Sequence, residues 1–226
     1  GWQKRRNGWD IDQSLMSFSL GVVQTISACV RLFTPEGGSV LIQTPVYSEF
    51  YDMTEAWNRK VVENQFVEKD GKWTVDWADF EEKLKEVDLF ILCSPHNPLG
   101  IVWTEEELRR MMELCLQYHV PVVSDEIHSD LIFHGKKHIP TASLSPEIAA
   151  NVITGISGTK TFNLAGLQAS TVVFPDHHKK EVFDHFWQCM DIHRNNAFSL
   201  TAMEAAFNEG EEWLEQLLPY LSANFD

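Results

Sequence analysis

The stretch DLFILCSPHNPLGIVWTEEELRRMMELCLQYHVPVVSDEIH, residues 88–128, decides the fold. Its two apolar runs, Asp88–Cys93 and Val120–Ser124, are apolar at successive positions, the pattern of strands covered on both faces of a largely parallel sheet. Between them Thr104-Glu105-Glu106-Glu107 spells a capping box, and Leu108, Met111, Met112, Cys115 and Leu116 follow as an apolar stripe at helical spacing. Strand, crossover helix and strand make one βαβ unit.

The same rhythm extends in both directions. Ser39–Gln43, Lys60–Phe66, Asn151–Ile156 and Ser170–Phe174 read as further strands, and a helix is expected from Val22 to Leu32, opened by Gly21 and stopped by Thr34-Pro35-Glu36-Gly37-Gly38. After Pro175 two helical stretches are expected, His178–His193 and Ser199–Tyr220, broken at Arg194-Asn195-Asn196, with no further strand. The sum is a three-layer α/β/α domain spanning residues 1–226 around a mostly parallel sheet. With 226 residues, 44% of them hydrophobic and 12% aromatic, the chain can bury one sizeable core. Its formal net charge of -15 disfavours nucleic acid or an anionic membrane as partner, and any anionic ligand must be held locally, by backbone amides and helix N-termini. Cys29, Cys93, Cys115 and Cys189 form no CxxC pair, which points to a reducing compartment. With no signal peptide, no long apolar run and no N-x-[ST] sequon, a cytoplasmic protein is expected. Both ends read as cuts through a larger fold.

In doubly wound sheets ligands bind beyond the carboxyl ends of the strands. Three such ends carry chemistry: Ser94-Pro95-His96-Asn97-Pro98-Leu99-Gly100, Ser124-Asp125-Glu126-Ile127-His128 and Ser157-Gly158-Thr159-Lys160. Judged alone, each has a bland explanation: a turn, a cap, a solvated lysine. Together they set an amide, a carboxylate and an amine around one crevice. An amine beside apolar residues such as Phe162 and Leu164 is expected to be partly desolvated, which frees its lone pair for imine formation. A carboxylate opposite suits a protonated ring nitrogen.

The motifs S-P-H-N-P-L-G, S-D-E-I-H and S-x-x-K-T-F-N-L-A-G-L resemble the class I/II aminotransferase superfamily of fold-type-I enzymes that use pyridoxal 5'-phosphate (PLP), and Pro45-Val46-Tyr47-Ser48-Glu49-Phe50 and Gly21-Val22-Val23 extend the likeness. Pro-His-Asn-Pro with Asp-Glu-Ile-His resembles more narrowly the bacterial MalY/PatB-type branch of cystathionine and cysteine-S-conjugate β-lyases. The resemblance implies that Lys160 forms the Schiff base with PLP and moves the substrate Cα proton. It implies that Asp125 pairs with the pyridine nitrogen, Asn97 with the phenolic oxygen, and that Tyr47 lies against the ring. His128 stands where many relatives carry a tyrosine. Phosphate would be held by the amides of Gly21, Val22 and Val23 and the hydroxyls of Ser157 and Thr159. Many aminotransferases carry an arginine eight residues after the lysine; here Gln168 stands there, which fits the lyase branch. The likeness also implies a homodimer and, outside this chain, a small C-terminal domain that supplies the arginine for the substrate carboxylate.

The expected activity is therefore carbon–sulfur β-elimination, giving thiol, pyruvate and ammonia. An aminotransferase using the same residues, and a regulatory or binding protein that keeps the fold, are the rivals. The histidines and aspartates of one helical region, His177, His178, Asp184, His185, Asp191 and His193, match no metal motif, and none is assigned. His134 and His138 flank a surface turn at Gly135-Lys136-Lys137. The eight tryptophans read as core and interface residues, since an acidic chain makes a poor stacking platform for nucleic acid.

Overall fold

A computed structural model describes residues 1–133, 135–192 and 196–224; His134, His193, Arg194 and Asn195 lie outside it. In chain order its elements are α1 (Trp2–Asn7), β1 (Met16–Ser19), α2 (Val22–Phe33), β2 (Ser39–Thr44), α3 (Glu49–Ala56), β3 (Lys60–Gln65), β4 (Val67–Lys69), β5 (Lys72–Thr74), α4 (Trp77–Leu84), β6 (Leu89–Cys93), α5 (Glu105–Gln117), β7 (Val122–Asp125), α6 (Pro146–Ala149), β8 (Val152–Ile156), β9 (Ser170–Val173), α7 (His177–Cys189), α8 (Ala197–Glu209) and α9 (Glu211–Ser222). Seven strands form one sheet in the order β1-β9-β8-β7-β6-β2-β3. The pairs from β3 to β8 are parallel, while β9 runs antiparallel to both β8 and β1.

Successive residues of β2, β6, β7 and β8 feed opposite cores, which is why these runs are apolar at successive positions. Val40, Ile42, Leu89, Ile91 and Val123 pack against Ile26 and Cys29 of α2, Phe50 of α3 and Phe183 of α7. Leu41, Phe90, Leu92 and Val122 pack on the other face against Phe80 of α4, Leu108, Met111 and Cys115 of α5 and Ile148 of α6. The three-layer α/β/α class follows. The capping box forms as the sequence requires: the Thr104 hydroxyl accepts the Glu107 N–H, and Glu107 Oε2 accepts the Thr104 N–H at 2.9 Å.

α2 ends where Thr34 meets Pro35, and buried Arg59 closes it. The guanidinium donates to Thr34 Oγ1 at 2.9 Å, Thr34 O at 2.8 Å and Trp57 O at 2.5 Å, so a cation sits at the carbonyl end of the helix. The stretch expected as one helix from Ser199 to Tyr220 is two, α8 and α9, joined at Gly210. A β-carbon there would lie 2.4 Å from Ala206 O and 2.5 Å from Phe162 Cε1, so the joint admits only glycine without a shift. Among the described residues no helix is long and apolar enough to cross a membrane.

Candidate active site

Parallel register sets Cys93, Asp125 and Gly155 side by side at the carboxyl ends of β6, β7 and β8. Gly155 has no side chain, and Val22, the first residue of α2, fills the space: a β-carbon on Gly155 would come within 2.9 Å of Val22 Cγ1. The first turn of α2, whose N–H groups have no partner within the helix, therefore starts next to the Asp125 column. Gly21 opens that turn.

Asp125 is buried, and among the described residues its carboxyl accepts one hydrogen bond, from the Ile127 N–H at 3.1 Å. Burial raises its pKa to about 7; the Ile127 N–H opposes the rise, the Glu126 charge adds to it, and the Lys160 ammonium opposes it. Among the described residues no cationic side chain hydrogen-bonds this carboxyl. Tyr47 and His128 share the crevice electrostatically. The Tyr47 hydroxyl is pushed up by partial burial and by the charges of Glu49 and Asp125. The His128 imidazole is pulled down by burial and by Lys160. The backbone N–H of half-buried Asn97 donates to Cys93 Sγ at 3.3 Å, which ties the Asn97 loop to the same column. Burial drives the Cys93 thiol far above its usual range, so it is a spacer and not a nucleophile.

The partial desolvation expected for Lys160 is not met by this chain: the residue is exposed. Phe162, which was to supply it, turns away and packs on Trp2, Phe207 and Trp213 at centroid distances of 5.5, 6.2 and 5.8 Å. Buried Ser157 and Thr159 share a hydrogen bond of 2.8 Å, and Ser157 Oγ donates to Ala169 O at 2.6 Å. The Val22 side chain belongs to the core, and that of Val23 to a groove with Trp57 and Trp187, so only their backbone could meet a ligand at the crevice. Gln168 is exposed, with a left-handed backbone at φ 48°.

Three groups at this edge were not singled out from sequence. Buried Glu126 accepts from Ser124 Oγ and Thr141 N, each at 2.9 Å, and pairs at 2.8 Å with Nε2 of His138, which was expected beside a surface turn and is buried instead by this pairing. Asp130 joins Trp2 to Thr161, and His96 lies buried between Phe66 and Trp103. The run S-D-E-I-H-S-D was the available signal for the two acids, because buried carboxyls need partners and this run carries three acids with hydroxyls and a histidine beside them. A cleft of about 440 Å³ opens beside Ser157 and Gly158, lined by Trp2, Trp9, Met16 and Phe207; neither Asp125 nor Lys160 lines it.

A three-layer α/β/α fold thus brings the buried Asp125 carboxyl, the Asn97 loop and the start of α2 to one edge of the sheet, with Lys160 in electrostatic reach. The family model for aminotransferase class I and II matches residues 2–209, and the chain belongs to that family. It is 45% identical to cystathionine beta-lyase PatB of Bacillus subtilis (strain 168), across 100% of this chain and 59% of that protein. Among solved structures it is similar to a PLP-bound putative aminotransferase from Clostridium difficile 630, with TM-score 0.97 and 45% identity over 99% of this chain and 58% of that one. It is also similar to a PLP-bound C-S lyase from Staphylococcus hominis, with TM-score 0.94 and 31% identity over 99% and 56%. The chain thus spans less than two thirds of these relatives.

Proposed function

We propose that residues 1–226 form the PLP-binding large domain of a carbon–sulfur β-lyase acting on cystathionine or related cysteine S-conjugates. The observation that carries the reading is Asp125: a buried carboxyl with one neutral hydrogen-bond donor, next to a helix N-terminus and within electrostatic reach of Lys160. That donor set fits PLP, whose ring N–H is a cation and whose phosphate is an anion. Asp125 would hold the ring nitrogen protonated, and Asn97 would donate its side-chain amide to the phenolic oxygen. Tyr47 would cover the ring face, with His128 at its edge. The N–H groups of Gly21, Val22 and Val23, with the Ser157 and Thr159 hydroxyls, would hold the phosphate. Lys160 would be the covalent anchor and, once displaced by the substrate amine, the base at the substrate Cα. When bound, the cofactor supplies an electron sink for the charge left at that carbon. Lys160 would take the Cα proton, a thiolate would leave Cβ, the Lys160 amine would then displace the remaining fragment, and water would convert that fragment to pyruvate and ammonia.

Similarity to a cystathionine beta-lyase and to a C-S lyase supports elimination over amino transfer. The working protein is proposed as a cytoplasmic homodimer. Buried free Cys29, Cys93 and Cys115 suit a reducing compartment, and exposed Phe198 and Leu200 suit an apolar contact. Borohydride reduction of protein supplied with PLP, followed by mass spectrometry, is expected to place the cofactor mass on the peptide holding Lys160. Cystathionine is expected to release thiol without an added oxo-acid. An unlabelled Lys160 peptide refutes the site, and turnover that depends on an oxo-acid refutes the lyase assignment in favour of the aminotransferase.

A further inference from the structure

Lys160 is exposed, so its aim is set by the turn that carries it. That turn is closed on itself by Phe162 N–H to Gly158 O at 2.9 Å and Leu164 N–H to Thr159 O at 2.8 Å. On the N-terminal side of the lysine, Thr159 is tied to Ser157. On the other side the tie comes from far away in sequence. The Thr161 hydroxyl donates to Asp130 Oδ2 at 2.9 Å, and the Trp2 indole N–H reaches Asp130 Oδ1 and Oδ2 at 3.0 and 3.1 Å. Asp130, Thr161 and Trp2 are all buried, and the Trp2 ring packs edge-on against Phe162 of the same turn.

A buried carboxylate is a costly choice for holding two neutral donors, since a hydroxyl or amide acceptor would do the same with less desolvation. What the carboxylate adds is two oxygens in a fixed plane, able to bond the indole N–H with both while one also takes the hydroxyl. It sits two residues beyond His128 and one β7-to-loop segment from Asp125, so it ties the lysine turn to the strand end that carries the ring partner. We propose that Asp130 is a positioning residue for Lys160, fixing the lysine turn through the Thr161 hydroxyl while the Trp2 indole holds the carboxylate in register. The proposal rests on the reading of Lys160 as the covalent anchor for PLP.

The test compares the parent protein with Thr161→Val, Thr161→Ser and Trp2→Phe, each supplied with PLP. Two quantities are read: the rate at which borohydride fixes the cofactor on the Lys160 peptide, and the pH profile of the bound cofactor's visible absorbance. Thermal unfolding is followed alongside. Thr161→Val is expected to slow labelling about tenfold and to displace the pH profile, because a misaimed amine reacts poorly. Thr161→Ser keeps the donor and is expected to match the parent. Trp2→Phe keeps one aromatic ring against Phe162 and removes the indole N–H together with the five-membered ring, with labelling slowed about threefold; it decides the matter if Thr161→Val does not fold. Parent-like labelling and pH profile in both Thr161→Val and Trp2→Phe overturn the positioning role alone. Absence of label on Lys160 in the parent overturns the anchor assignment, and this proposal with it.

Discussion

Asp125→Asn separates the charge of the buried carboxyl from its shape. Asparagine keeps an oxygen to accept the Ile127 N–H, which lies 3.1 Å from Asp125 Oδ1, and changes no volume. The carboxyl pKa rises from 3.8 to about 7 in the folded protein, chiefly through burial. A group with a raised folded-state pKa binds its proton more tightly when folded, so the folded state is favoured below the unfolded value and loses that advantage as pH climbs through about 7. At about 1.4 kcal/mol per unit, the full window is worth roughly 4 kcal/mol, of which about 3 kcal/mol falls between pH of about 5 and about 8. In the absence of PLP, the stability of Asp125→Asn relative to the parent should therefore rise by about 3 kcal/mol over that interval. Urea unfolding of both proteins at the two pH values measures it. Saturating PLP should reverse the order above neutral pH, because only the carboxylate offers charge to the ring nitrogen. A pH-independent difference, or an asparagine variant that is less stable at high pH without cofactor, would show that Asp125 is not an unmatched buried acid and would remove the main support for the site.

Other expectations follow from the same geometry. His96 is held at a pKa of about 4 by burial, a lowered value, so its contribution is present above about 6.5 and is lost as pH falls through 4, worth about 3 kcal/mol; His96→Leu should flatten the acid limb of a stability–pH curve, and an unchanged limb refutes the assignment. His138→Phe removes the partner of buried Glu126 and should cost about 3–5 kcal/mol in chemical denaturation, a loss under about 1 kcal/mol being incompatible with a buried pair. Arg59→Met strips the carbonyl end of α2 of its donors and should destabilise by about 2 kcal/mol, read as a lower melting midpoint without change of fold. Gly210→Ala forces a β-carbon into Phe162 and should cost about 1–3 kcal/mol, with a change in near-ultraviolet circular dichroism from the Trp2, Phe162 and Trp213 cluster; an unperturbed spectrum would count against that contact.

The strands that carry the site were legible because they are apolar on both faces, and the parallel register that aligns Cys93, Asp125 and Gly155 follows from their common direction. Shorter pieces were not. β1, Met16–Ser19, alternates over only four residues at the sheet edge. The β4–β5 hairpin is mostly exposed and lacks an apolar signature, although Asp70-Gly71, with φ of 53° and 73°, is a hairpin-turn signal that could have found it. The helical joint at Gly210 is dictated by Phe162, and the aim of Phe162 by Trp2 and Trp213. The exposure of Lys160 and the ties of Asp130 are likewise products of contacts more than thirty residues apart. Local pattern cannot encode which distant groups arrive, so the strand ends were readable while the scaffold around them was not.

Gly155 also acts through what it lacks. Because a single missing methyl lets Val22 settle against the strand, the start of α2 lies close to the Asp125 column. In the reading proposed above these two points grip opposite ends of one flat molecule, its phosphate and its ring nitrogen. In that reading Gly155 bears on both grips without contributing a side chain to either. A β-carbon at residue 155 would meet Val22 Cγ1 at 2.9 Å and press on the first turn of α2.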